Sequence, residues 1–221
     1  MKLTGEIISV SNSSDPYPRL EAEMGLMRSC LEIFSESNCK VQIITKSSLV
    51  VRDVDLLAKI PSMVSLTITT DDDEISRLLE PYAPPVSERL KTVEKLVQKG
   101  LLTAVRIDPV IPFVNDRFEE LVETLAALGV KHITSSTYKV KQDDWRRFNT
   151  AMPEVAAKLR SLYFERGERI AGYVYLPRDV RASLMEKVSA SAKKNGVKFG
   201  TCREGLSYLN TGACDGSWLL D

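Results

Sequence analysis

Short apolar runs rich in β-formers fall at residues 6–10, 40–45, 63–69, 102–107 and 131–134, with amphipathic stretches between them near 20–35, 51–59, 87–99 and 116–128. Strand, helix, strand at this spacing means parallel strands joined by right-handed crossovers. Val86, Leu90, Val93, Leu96 and Val97 recur at helical spacing, as do Phe118, Leu121, Val122, Leu125 and Leu128. Ser87 and Asn115 are the expected N-caps of these two helices, and Gly100 and Gly129 their expected ends. Five such strands fit an open doubly wound sheet or part of a (βα) barrel. No G-x-G-x-x-G follows the first strand and no GxxxxGK[ST] occurs, which counts against dinucleotide and P-loop sites.

After residue 135 the rhythm changes. Residues 143–166 read as a polar helical stretch broken near Pro153, 170–176 as a strand, 179–194 as a helix capped by Asp179, and 197–199 as a short strand. The expected division is therefore a barrel core over 1–139 and a C-terminal α/β extension over 140–221, packed on the core. Thirty basic residues balance thirty acidic ones, so no global field draws the chain to nucleic acid, although a neutral total can hide a basic groove. No apolar run approaches the roughly 18 residues of a membrane span. The first residues lack a signal-peptide core. The expectation is a cytoplasmic chain with no membrane partner.

In parallel α/β folds the site gathers at the C-terminal ends of the strands. There the chain places SNSSDPY, then Lys46-Ser47-Ser48, then the alternating Ser65, Thr67 and Thr69 followed by Asp71 to Glu74, then Arg106 and Asp108-Pro109, then Ser135-Ser136-Thr137. Much of SNSSDPY is ordinary turn chemistry, and Asp71 to Glu74 suit a helix start better than a metal site. Lys46 and Arg106 point to the mouth and suit a carboxylate or phosphate. Three hydroxyls on one strand face fit an interior that meets a polar ligand. His132, the sole histidine, sits early in its strand and reads as structural, which disfavours Ser–His or Cys–His catalysis. Cys30, Cys39, Cys202 and Cys214 show no CxxC spacing. Cys30 lies in a helical pattern and is expected to be buried. Cys202 and Cys214 are expected as a disulfide or as paired structural thiols, free in a reducing compartment.

The blocks SSDPYPRLEAEMGLMRSCLEIF, VQIITKSSLVVRDVDLL, VSLTITTDDDEISRLLEPYAPPVSERLKTVEKLVQKGL and AVRIDPVIPFVND, in this order and spacing, resemble the radical SAM proteins related to spore photoproduct lyase, often labelled DNA repair photolyases. The resemblance runs from about residue 6 to residue 139, and the tail TCREGLSYLNTGACDGS adds to it. It implies an α/β fold, a partial (βα) barrel of the radical SAM type, here without its first βα unit. It also implies a [4Fe–4S] cluster on a CxxxCxxC loop, binding S-adenosylmethionine and generating a 5′-deoxyadenosyl radical. By resemblance, Ser14, Lys46, Ser65 and Asp108 would bind S-adenosylmethionine. Asn12, Asp15, Tyr17 and Arg106 are candidates for the substrate side. Asn12 stands where some photoproduct lyases carry a hydrogen-donor cysteine, which puts thymine-dimer repair itself in doubt.

CxxxCxxC is absent from the sequence, so this chain supplies no metal-ligand set and is not expected to act alone. Three origins are expected: a truncated or split gene completed by another polypeptide, a sequence starting inside a longer protein, or a cluster-free descendant that binds a nucleotide or nucleic acid. The first two are favoured. Any of them leaves residues 6–10 as an open sheet edge, the expected place for self-association or an N-terminal partner. Lys139, Lys141, Trp145, Arg146 and Arg147 read either as a nucleic-acid contact or, more simply, as a solvated helix face.

Overall fold

The computed structural model describes residues 5–10 and 14–221. Its elements run β1 (Ile7–Val10), α1 (Glu21–Met24), α2 (Leu26–Ser35), β2 (Lys40–Thr45), α3 (Val54–Leu57), β3 (Ser62–Thr67), α4 (Asp73–Leu79), α5 (Val86–Gln98), β4 (Leu102–Val110), α6 (Glu119–Ala127) and β5 (His132–Thr137). They continue with α7 (Gln142–Ala151), α8 (Pro153–Phe164), β6 (Glu168–Ile170), β7 (Tyr173–Tyr175), α9 (Arg178–Lys194) and β8 (Lys198–Thr201).

Six strands form one sheet in the order β1-β2-β3-β4-β5-β8, and every pairing is parallel. This is the partial barrel that the resemblance implies, one of the two arrangements the strand–helix alternation allows. The last strand comes from the C-terminal stretch: α9 crosses over and delivers β8 beside β5. On the helix-facing side, Val41, Ile43, Val64, Leu66, Val105, Ile107 and Ile133 are fully buried against apolar stripes of the helices.

Several expected details give way to competing contacts. The helix expected over 20–35 breaks into α1 and α2, because Gly25 adopts φ 63°, a left-handed conformation that suits glycine. Asn115 does not cap α6, which starts at Glu119. It is buried, accepts the Ile111 N–H at 2.7 Å and donates to Pro109 O at 2.9 Å, tying the turn after β4. Ser87 is not a cap either: α5 begins at Val86, whose N–H donates to Asp73 Oδ1 at 2.6 Å. The strand expected over 170–176 is a hairpin, β6–β7, turned by Ala171 and Gly172, both at positive φ. Cys30 is exposed, because α2 buries Met27 and Leu31 and position 30 lies off that stripe.

The tail after β8 doubles back across the inner face of the sheet. Gln42 Nε2 donates to Asp215 O at 2.8 Å, Thr134 Oγ1 donates to Cys214 O at 2.9 Å, and Leu220 packs on Met63 and Ala104. His132 is structural, as its position suggests. Its Nδ1 accepts from Trp218 Nε1 at 3.1 Å, and burial pushes its pKa down to about 4, so it is neutral near pH 7. Among the described residues, no helix is long and apolar enough to cross a membrane.

Candidate functional site

The tail fixes which side of each strand faces inward, and alternation carries that assignment to the C-terminal ends. Met63 lies on the tail, so Ser65 and Thr67 share its face. Ala104 does too, so Arg106 and Asp108 follow. On β5, His132 and Thr134 lead to Ser136. The tail fills the lower half of this inner face, and the polar residues line the upper half.

Ser65 is fully buried, and its hydroxyl has no hydrogen-bond partner. Thr69, just beyond β3, is likewise buried with an unpartnered hydroxyl. Buried polar atoms are rarely left unpaired, so these are open hydrogen-bonding positions. Arg106 Nη2 pairs with Asp108 Oδ2 at 2.6 Å, and Asp108 also accepts from the Ser136 hydroxyl. Burial opposes the Arg106 charge, but Asp108 and then Cys202 outweigh it and raise its pKa.

The remaining candidates surround a groove of about 970 Å³ at the ends of β1 and β2, lined by Asp15, Tyr17, Arg19, Lys46, Glu80 and Tyr82 among others. Lys46 Nζ meets Glu80 at 3.3 Å and is otherwise half-open to solvent. Asp15 is a latch: Oδ1 accepts from Thr45 Oγ1 at 2.6 Å and from the Tyr17 N–H at 2.9 Å, while Oδ2 accepts the Lys46 N–H at 2.7 Å. Both its oxygens are thus committed to holding the first loop on β2. Tyr17 is buried, and its phenol is raised by burial and then by Asp53, on the helix side where Glu21, Arg52 and Asp53 form ion pairs. Ser14 is exposed beside this loop. Asn12 lies outside the described residues. The structure therefore places Ser65, Arg106 and Asp108 on one inner face, and sets Lys46, Asp15 and Tyr17 around a groove.

Three participants had no sequence signal. Glu80 becomes the partner of Lys46 only through folding. Glu204, fully buried, accepts from Thr137 and pairs with Lys139 at 2.9 Å. Tyr173, on the hairpin, has Lys141 Nζ 4.5 Å and the Arg203 guanidinium 5.3 Å from its ring centre. Trp145, by contrast, packs into an aromatic cluster with Phe148, Tyr163 and Phe164.

A sequence model of the radical SAM superfamily matches residues 2–134, more than half of the chain. The chain belongs to the radical SAM superfamily. An uncharacterized protein of Mycobacterium tuberculosis is 28% identical over 195 residues, covering 83% of this chain and 55% of that protein. One of Methanocaldococcus jannaschii is 29% identical over 146 residues, covering 59% of this chain and 56% of that one. The chain thus spans about half the length of these relatives. Among solved structures, a point mutant of spore photoproduct lyase superposes with TM-score 0.69 at 15% identity, over 87% of this chain and 60% of that one. Spore photoproduct lyase complexed with dinucleoside spore photoproduct gives 0.67 at 14%, over 89% and 61%. At such identity the likeness establishes the partial-barrel fold.

The superfamily implies two groups, and the residues here treat them differently. S-adenosylmethionine carries a carboxylate and hydroxyls. The cationic Lys46 on the groove and the buried, unpartnered Ser65 and Thr69 hydroxyls are groups of the kind that pair with such a ligand. A [4Fe–4S] cluster does not fit. Cys30 is on the helix layer, Cys39 is buried at the N-terminal end of β2, and only Cys202 and Cys214 reach the inner face. Among the described residues, no three His, Cys, Asp or Glu are grouped to hold a metal.

Proposed function

We propose that this chain is the S-adenosylmethionine-binding part of a radical SAM enzyme related to spore photoproduct lyase, with a nucleic acid or nucleotide as substrate and the cluster ligated by residues outside this sequence. The observation that carries it is the unpartnered, fully buried Ser65 hydroxyl on the upper inner face. In this reading Lys46 exchanges its Glu80 partner for the ligand carboxylate, Ser65 and Thr69 donate to its polar atoms, and Asp15 keeps the first loop in place.

Isothermal titration with S-adenosylmethionine tests this directly. Ser65→Ala is expected to weaken binding roughly 2- to 10-fold, the range of one hydrogen bond, and Lys46→Ala by roughly tenfold or more, since its partner is charged. Undetectable binding by the parent chain, or binding indifferent to both substitutions, would reject the assignment.

The nucleic-acid part rests on Tyr173. An aromatic ring flanked by two cations offers stacking and phosphate contacts at once, and Lys141, then Arg203, lower the phenol's pKa. Single-stranded oligonucleotides are expected to bind with a steep salt dependence, and Tyr173→Ala to weaken them roughly tenfold. Unchanged affinity would move the substrate elsewhere.

The placement of the cysteines favours a second reading, a cluster-free binding module. Anaerobic reconstitution with iron and sulfide separates the two. Cluster incorporation that requires an added CxxxCxxC polypeptide supports the enzyme; oligonucleotide binding with no cluster under any pairing supports the module. The open edge of β1 is the proposed meeting place for such a polypeptide or for a second copy. Ile7 is 39% exposed there, and Leu26 and Ile33 of α2 are exposed as well. Sedimentation showing only a monomer, with and without the partner, would argue against this.

A further inference from the structure

Two of the free cysteines lie where the tail crosses the sheet. Cys202 follows β8, and its N–H donates to Ser135 O at 2.9 Å, so it continues the ladder. Alternation from Gly200 turns its side chain to the inner face, the face that carries Arg106, and Cys202 is among the groups that raise the Arg106 pKa. Cys214 sits on the returning tail. Its carbonyl accepts from Thr134, and Thr134 is the register partner of Gly200. A side chain at Gly200 would stand 2.6 Å from Cys214 Cα, so the tail backbone lies directly on β8 two residues before Cys202. Strand residues two apart on one face are about 7 Å apart, so Cys202 stands about that far along β8 from the point where the tail rests, at the limit of the Cα separation a disulfide spans, and a small shift of the tail closes the pair. The two thiols also sense each other: burial, Asp215 and then Cys202 raise the Cys214 pKa.

We propose that Cys202 and Cys214 form a reversible dithiol–disulfide pair that fastens the tail to the sheet. The co-reactant is a low-molecular-weight disulfide such as glutathione disulfide. Cys214, the more exposed thiol, attacks one of its sulfurs through the small thiolate fraction that its raised pKa leaves, and releases one glutathione thiolate. Cys202 then attacks Cys214 Sγ, forming the internal S–S bond and releasing the second. The two cysteine protons end on the two glutathione thiols. The protein is oxidised by two electrons and glutathione disulfide is reduced by two.

The test equilibrates the full chain in glutathione buffers of increasing oxidised fraction, traps free thiols in denaturant and maps peptides by mass. Free thiols are expected to fall from the four cysteines of the reduced chain to two, with one cross-linked peptide joining Cys202 to Cys214. Cys214→Ser should abolish the cross-link. Cys202→Ser should leave a glutathione adduct trapped on Cys214. A double Cys30→Ser, Cys39→Ser variant should keep the cross-link. Four free thiols throughout, a cross-link involving Cys30 or Cys39, or stable glutathione adducts on both Cys202 and Cys214 in the parent chain would overturn the proposal. None of these readouts depends on ligand binding, so they stand apart from the S-adenosylmethionine titration.

Discussion

Replacing Arg89 with methionine is expected to lower the stability of the chain by about 3–5 kcal/mol, the usual result of removing one partner from a buried ion pair. Arg89 is fully buried on α5. Its Nη1 donates to Thr67 O at 2.9 Å and to Glu80 Oε2 at 2.7 Å, and its Nη2 donates to Ser76 Oγ at 2.5 Å. One guanidinium thus ties β3, α4 and the residue that ends α4. Methionine matches the apolar stem but leaves the Thr67 carbonyl without this donor and Glu80 largely buried with only Lys46 to balance it. Arg89→Lys should recover little, because a single ammonium cannot reproduce the planar fork. Adding Glu80→Gln to Arg89→Met should restore part of the loss by removing the stranded charge. Urea unfolding checks all three, with the midpoint falling and the slope unchanged. A loss below about 1 kcal/mol would mean that the site behaves as a surface pair. The consequence for the site is direct, since Arg89 holds the carboxylate that Lys46 touches.

The sheet was legible because its pattern is redundant. Helix-facing positions such as Val64, Leu66, Val105 and Ile107 are apolar whatever the ligand, and the helix stops at Gly100 and Gly129 appear where the spacing puts them. The start signals were less legible, because capping residues have alternatives. Asn115 and Ser87 look like caps in sequence, yet a buried turn claimed the first and Asp73 took over the α5 terminus from the second. The order in which β8 joins the sheet was not readable from a four-residue strand that follows a hairpin and a long helix.

The inward polar face was legible by position, and the partners of its residues were not. The alternation of Ser65, Thr67 and Thr69 marks an inward polar face, and the structure leaves two of those hydroxyls open. The same reasoning placed Asp15 and Tyr17 beside a substrate. Sequence cannot show that Asp15 is saturated by Thr45 and two backbone N–H groups, or that Tyr17 turns to the helix layer above Asp53. Arg203 and Tyr173 stand thirty residues apart in sequence, so their shared surface with Lys141 forms only in three dimensions.

Gly200→Ala is expected to lift the tail off the sheet and cost about 1–3 kcal/mol, as overpacking does. Gly200 is not at positive φ, so alanine meets no backbone strain of its own. The new Cβ would instead stand 2.6 Å from Cys214 Cα and 2.9 Å from Cys214 O. Those are backbone atoms, so no side-chain rotation relieves the clash; either β8 or the tail must move. The tail is the weaker side, because β8 is hydrogen-bonded to β5 along four register pairs. Its displacement strips Gln42 and Thr134 of their carbonyl acceptors and separates Trp218 from His132, leaving buried polar groups unpaired. In a Trp145→Phe background the remaining Trp218 emission should shift to the red in Gly200→Ala, and the unfolding midpoint should fall with it. Full stability with unshifted emission would show that the tail does not rest on β8.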